Sequence, residues 1–155
     1  VPATIPVRSS VKARLVTLLK AAGPLRADGQ PVQVAYGWPA RDLEHECIWI
    51  GAVRGAVEID GLKSGRKRVR DTFDVDVWIV AATPGQLDPQ AAEERCEELA
   101  GYVRDALADD PHLDALEGLT GGARVSQIDG PDAEPTDEGS TAIARVQVTC
   151  QTTLA

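Results

Sequence analysis

The chain has 155 residues, 43% hydrophobic and 26% charged with a net charge of −8, a balance that suits one soluble globular domain spanning 1–155. Cys47, Cys96 and Cys150 form no CxxC pair and leave an odd thiol under any pairing, which argues against a disulfide-built secreted scaffold and for a reducing compartment. No apolar run approaches the roughly 20 residues of a membrane span, and no charged-then-apolar leader opens the chain.

The first segment reads as a helix. Thr4 is placed to cap it, and Pro6 is tolerated in its first turn. Ile5, Val11, Leu15, Leu18, Leu19 and Ala22 keep a helical period, while Arg8, Lys12, Arg14 and Lys20 take the other side. Gly23-Pro24 ends the run. Val32, Val34 and Tyr36 then alternate as a strand that stops at Gly37-Trp38-Pro39, and a second strand follows over 47–53. The clearest strand runs over 73–82, with Phe73, Val75, Val77 and Ile79 on one face.

Between these two strands, residues 54–70 contain the turn dipeptides Asp60-Gly61 and Ser64-Gly65 and read as a projecting hairpin or long loop. Asp88-Pro89 starts a second helix with a carboxylate at the cap and proline in the first turn. Its buried stripe is Ala92, Cys96, Leu99, Val103 and Leu107. A short turn of helix is expected over 113–116. Two final strands, 123–128 and 141–152, flank an acidic loop, 129–140, rich in proline and glycine. This order predicts an α+β fold: a mixed, mostly antiparallel sheet with two helices packed on one face and the basic hairpin projecting from it. Only the strands around the second helix are spaced for a parallel crossover; the other links suit antiparallel pairing.

Charge is unevenly distributed. Residues 1–70 carry 12 basic and 6 acidic side chains, whereas 71–155 carry 4 basic and 18 acidic. Two poles of opposite sign suit a chain that meets copies of itself or a charged partner. The sharpest feature is Lys63, Arg66, Lys67, Arg68 and Arg70, five cations in eight residues, with Arg54 at the other base of the loop. No aromatic residue is interleaved among them, which disfavours base stacking, and the acidic remainder disfavours autonomous duplex binding.

Signals for catalysis are weak. Asp74 and Asp76 share a strand face, as the polar side of a half-buried strand would. His45 and His112 with three scattered cysteines match no zinc spacing, and a Cys47–histidine dyad is only loosely permitted by a strand. The acidic loop lacks the spacing of an EF-hand. No GxSxG, HExxH, P-loop or GxGxxG occurs, so neither an enzyme nor a cofactor is expected.

The order of segments nevertheless has a counterpart. A helix ends at Ala21-Ala22-Gly23, followed by Val34-Ala35-Tyr36-Gly37-Trp38-Pro39 and the strand from Glu46 through Gly51. A long loop then feeds the strand from Asp74 to Val80, the acidic helix 88–108 follows, and a last strand closes on Thr152-Thr153-Leu154. In these features the chain resembles the tail terminator proteins of long-tailed, non-contractile (siphovirus-type) bacteriophages. The resemblance implies a structural virion protein of the tail and neck, assembled in the host cytoplasm. It would form a six-membered ring on the finished tail tube, stop tube growth, and present the head–tail joining surface to a connector protein. DNA would pass through the lumen without sequence-specific binding. Arg54, Lys63, Arg66, Lys67, Arg68 and Arg70 are then the expected contacts to the tube or to DNA in the lumen, on charge and placement alone. Another connector or tail-completion neck protein, or a non-viral adaptor or nucleic-acid-binding module, would use the same basic loop.

Overall fold

Helix α1 (Val7–Ala22) buries Val7, Val11, Leu15 and Leu19 in one stripe, and Gly23, at φ +67°, turns the chain out of it with its amide bonded back to the Lys20 carbonyl. The structure is a computed structural model that describes residues 7–60 and 68–154. The expected cap at Thr4, with Ile5 and Pro6, lies outside the described residues, as do Lys63, Arg66 and Lys67. Five strands follow: β1 (Gln33–Ala35), β2 (Glu46–Asp60), β3 (Arg68–Pro84), β4 (Gly122–Thr136) and β5 (Gly139–Leu154), with helix α2 (Pro89–Asp109) between β3 and β4. Their spatial order is β1-β2-β3-β5-β4. All pairs are antiparallel except β1 with β2.

That parallel pair corrects the expectation that every link outside the second helix would be antiparallel. Residues 36–45 carry the chain back to the starting end of β1 through a 3-10 turn at Ala40–Asp42. Gln33 braces the return, its amide donating to the Asp42 carbonyl (3.0 Å) and its oxygen accepting from the Glu44 amide (2.9 Å). The strands around α2 are parallel to each other, as both run antiparallel to β5, but β5 lies between them.

Of the hairpin or long loop expected over 54–70, the described part is a hairpin, and the acidic loop expected over 129–140 is largely strand. Pairing of β2 with β3 continues from Arg54↔Asp74 to Asp60↔Arg68, so residues 54–60 and 68–70 are the paired arms of a hairpin. Gly55 permits its close weave, since a Cβ there would meet the Thr72 carbonyl and the Phe73 backbone. The acidic segment 129–140 is not a loop. β4 pairs with β5 from Asp132↔Ile143 to Thr136↔Gly139, leaving only Asp137 and Glu138 in the turn. Proline and glycine argue against a central strand, but β4 is an edge strand, and bulges after Val125 and Asp129 absorb the irregularity around the cis Gly130-Pro131 peptide. The helical turn expected over 113–116 is left-handed instead: Leu113, Asp114 and Ala115 all have φ between 50° and 58°. Burial of Leu113 and a bond from the Asp114 amide to the Asp110 carboxylate (2.8 Å) hold it there.

Both helices cover one face of the sheet. α2 packs across β3, β4 and β5 through Ala92, Cys96, Leu99, Val103 and Leu107, the stripe read from the sequence. Asp88 caps it, accepting from the Ala91 amide at 3.0 Å with proline next in the chain. α1 packs on β1, β2 and α2, and with Phe73, Val75, Val77, Ile79, Val146 and Val148 the two helices enclose a continuous core. Arg95 fastens α2 to the β2 start, donating to both oxygens of Glu46 (2.8 and 3.1 Å) and to the Leu25 carbonyl (2.6 Å). Among the described residues, no helix packs on the opposite face of the sheet.

Candidate interaction surfaces

The two long hairpins end at opposite edges of the molecule. β2 and β3 are joined through residues 61–67, beside Val69↔Leu154, while β4 and β5 turn at Asp137-Glu138, beside Pro84↔Gly139. Along β3, Val69 and Pro84 are fifteen residues apart, roughly 50 Å of strand at about 3.3 Å per residue. The first connection belongs to the basic run 63–70. The second belongs to 129–138, which holds Asp129, Asp132, Glu134, Asp137 and Glu138 and no basic residue. The strand ends that lead into the basic run and the turn of the acidic segment therefore lie at opposite ends of one sheet.

Alternation decides which residues face away from the helices. On β3 the core takes Phe73, Val75, Val77 and Ile79, so Asp74, Asp76 and Trp78 point to the helix-free face, together with Trp49 opposite Trp78 and Arg145 on β5. Asp74 and Asp76 do share this face, as the sequence implied, and both are engaged. Thr149 donates to Asp74 at 2.7 Å, and Arg54 donates to Asp76 at 2.8 Å. Arg54 thus sits back from the hairpin connection with a carboxylate partner. Arg70 lies opposite Glu58 on β2 and Thr153 on β5, and Arg68 lies opposite Asp60 at the last described rung. The structure brings Arg68 and Arg70 onto one strand end with Arg54 on the neighbouring arm; Lys63, Arg66 and Lys67 belong to the segment outside the described residues.

Several groups on these surfaces had no signal beyond strand alternation. Trp38, in the connection after β1, forms a row with Trp49 on β2 and Trp78 on β3. The first two rings meet edge-on at 4.8 Å, the second pair stack at 6.1 Å, and the Arg145 guanidinium lies 5.9 Å from the Trp78 ring centre. Arg145 also pairs with Asp129, and the Gln127 side-chain amide, together with Arg145, holds the Asp129 carboxyl below the usual carboxylate range. At the hairpin base, Arg8 of α1 reaches Asp71 with two bonds, 2.9 and 2.7 Å, and lies 5.2 Å from the Phe73 ring centre. This clamp ties α1 to the basic hairpin.

An open groove of about 740 Å³ runs along the acidic end of the helix-free face. Trp78, Ile143 and Ala144 line it with Arg145, and Asp129, Asp132 and Glu134 give it its charge. Ile143, 44% exposed, gives the groove an apolar floor beside Trp78. Among the described residues, neither Asp132 nor Glu134 makes an ion pair.

The thiol and imidazole candidates do not converge. Cys47, Cys96 and Cys150 are all buried, and burial pushes each thiol up to about 12, so the reactive thiolate is suppressed. His112 bonds the Leu119 carbonyl through Nδ1 at 3.2 Å, a local structural contact. No group of three or more histidine, cysteine or carboxylate side chains suited to a metal ion occurs among the described residues. No helix there is long and apolar enough to cross a membrane.

No family model matches the chain, and no curated protein matches it. A solved structure that carries no descriptive name aligns over 96% of this chain and 94% of its own, at 18% identity and a TM-score of 0.38. A likeness at that level bears on neither fold nor function.

Proposed function

We propose that this chain is a structural virion protein that assembles as a ring on the end of a phage tail tube, ends its growth and forms the surface joined to the head. One observation carries the reading: a single sheet with a basic hairpin at one end and an acidic hairpin at the other. A ring built from head-to-tail contacts needs two different, complementary surfaces on every copy, and opposite charge at opposite ends supplies them. The segment order that resembles tail terminators supports the same reading. So does a sheet face that neither described helix covers.

In such a ring the basic run 63–70, with Arg54 behind it, is the contact element. Its counterparts are the tube, the DNA in the lumen and the adjoining subunit. The partners are thus further copies of the chain, the tube protein and the connector of the head. The experiment is charge reversal of Arg66, Lys67 and Arg68 to glutamate in a phage encoding this chain. Solution circular dichroism should be unchanged, while tails fail to join heads. Normal heads joined to tails of normal length in that variant would overturn the proposal.

A further inference from the structure

We infer that the groove on the helix-free face at the β4–β5 end is the seat of a second copy of this chain, which inserts its basic run 63–70. This rests on the ring reading and names the contact that would build it. Three observations select this occupant. First, the groove is acidic where it is open: Asp132 and Glu134 are exposed and make no ion pair among the described residues, while its one cation, Arg145, is already matched by Asp129. Second, the described part of the chain's own basic run is distant. Within one copy, Arg68, where the described part of the basic run begins, and the acidic turn stand at opposite ends of β3, roughly 50 Å apart along the strand, which favours another molecule as the source of the charge.

Third, the floor of the groove is apolar, with Ile143 44% exposed beside Trp78. Long arginine and lysine side chains cover such a surface with their methylene stems while their heads meet the carboxylates. A nucleic acid is disfavoured at this seat, because its phosphates would meet Asp129, Asp132 and Glu134. The contact is heterologous, since the hairpin of one copy meets the groove of the next, and it can therefore close into a ring.

The test is a charge swap in the purified full-length chain, read by native mass spectrometry and sedimentation. The unmodified chain should self-associate, and its dissociation constant should rise about tenfold or more between low and high salt. Asp132→Lys with Glu134→Lys should weaken association about 100-fold, and so should Arg66→Glu with Lys67→Glu and Arg68→Glu, because like charges then face each other. A chain carrying both sets should associate again to within about tenfold of the original, since each reversed hairpin meets a reversed groove. Far-UV circular dichroism and thermal midpoint of each variant exclude misfolding as the cause of any loss.

A second measurement needs no variant. Zero-length carbodiimide coupling of a mixture of ¹⁴N and ¹⁵N copies should join Lys63 or Lys67 of one copy to Asp132 or Glu134 of another. A monomeric unmodified chain, association indifferent to both reversals, failure of the combined chain to recover, or inter-copy links only elsewhere would each overturn the contact. Capping of tubes by chains whose swap fails would retire the contact and spare the ring reading. A working swap in a chain that ignores tubes would do the reverse.

Discussion

Arg8 and Asp71 show how one pair joins sequence to architecture. Asp71 is 5% exposed on β3 at the base of the basic hairpin, and its two oxygens are both met by the Arg8 guanidinium. Removing the arginine leaves a buried carboxylate without its partner, so Arg8→Ala should cost about 1–3 kcal/mol, less than a fully buried pair because Arg8 is partly solvated. Chemical denaturation checks this, and hydrogen exchange should show the loss concentrated at α1 and the β3 start. The thiols give a second expectation with a definite sign. Burial raises Cys47, Cys96 and Cys150 from an ordinary value of 9.0 to about 12, so the folded state favours the neutral thiols. Their contribution is fully present below pH 9 and is lost as pH rises from 9 toward 12. The denaturation midpoint should therefore fall across that window, and a disulfide-exchange reagent at pH 8 should label the thiols only after unfolding. Rapid labelling of the native protein would contradict their burial.

At the scale of elements, helix α2 and the two hairpins do different work. α2 is the larger clamp on the core, and Leu99→Ala, at a position with no exposure, should cost about 2–5 kcal/mol by denaturant titration. Gly55→Ala should disturb the β2–β3 hairpin more than the core, because the added methyl would meet the Thr72 carbonyl; faster amide exchange over 54–60 and 68–74 would report it. Both helices and the face assignment of β3 were legible in the sequence, since their periods are unbroken and Asp88-Pro89 and Gly23-Pro24 mark their ends. Segment 129–140 was not, because Pro131 and Pro135 argue against a strand until the edge position of β4 is known. The parallel β1–β2 pair was hidden for a similar reason: it depends on Gln33 bracing the return of the chain, a contact that no local pattern announces. Of the surface, the basic run was plain as charge. The tryptophan row, Arg145 and the groove required the register of β3 against β5.

For the whole molecule, the decisive property is the separation of charge. A net of −8 conceals a basic half and an acidic half of the chain, and the strand ends leading into the basic run 63–70 lie at the opposite end of the sheet from the acidic turn at Asp137-Glu138. Copies placed head to tail bring the basic run of one beside the acidic turn of the next, and the number of copies is then set by the angle at each contact. The ring reading makes this arrangement the basis of tail capping, with the helix-free face and both hairpins as its contacts. The most direct test is the assembly state of the purified chain, by native mass and negative-stain imaging, with polymerised tail-tube protein present and absent. The account predicts a closed six-membered ring seated on one end of the tubes. A chain that stays monomeric and ignores the tubes would contradict it.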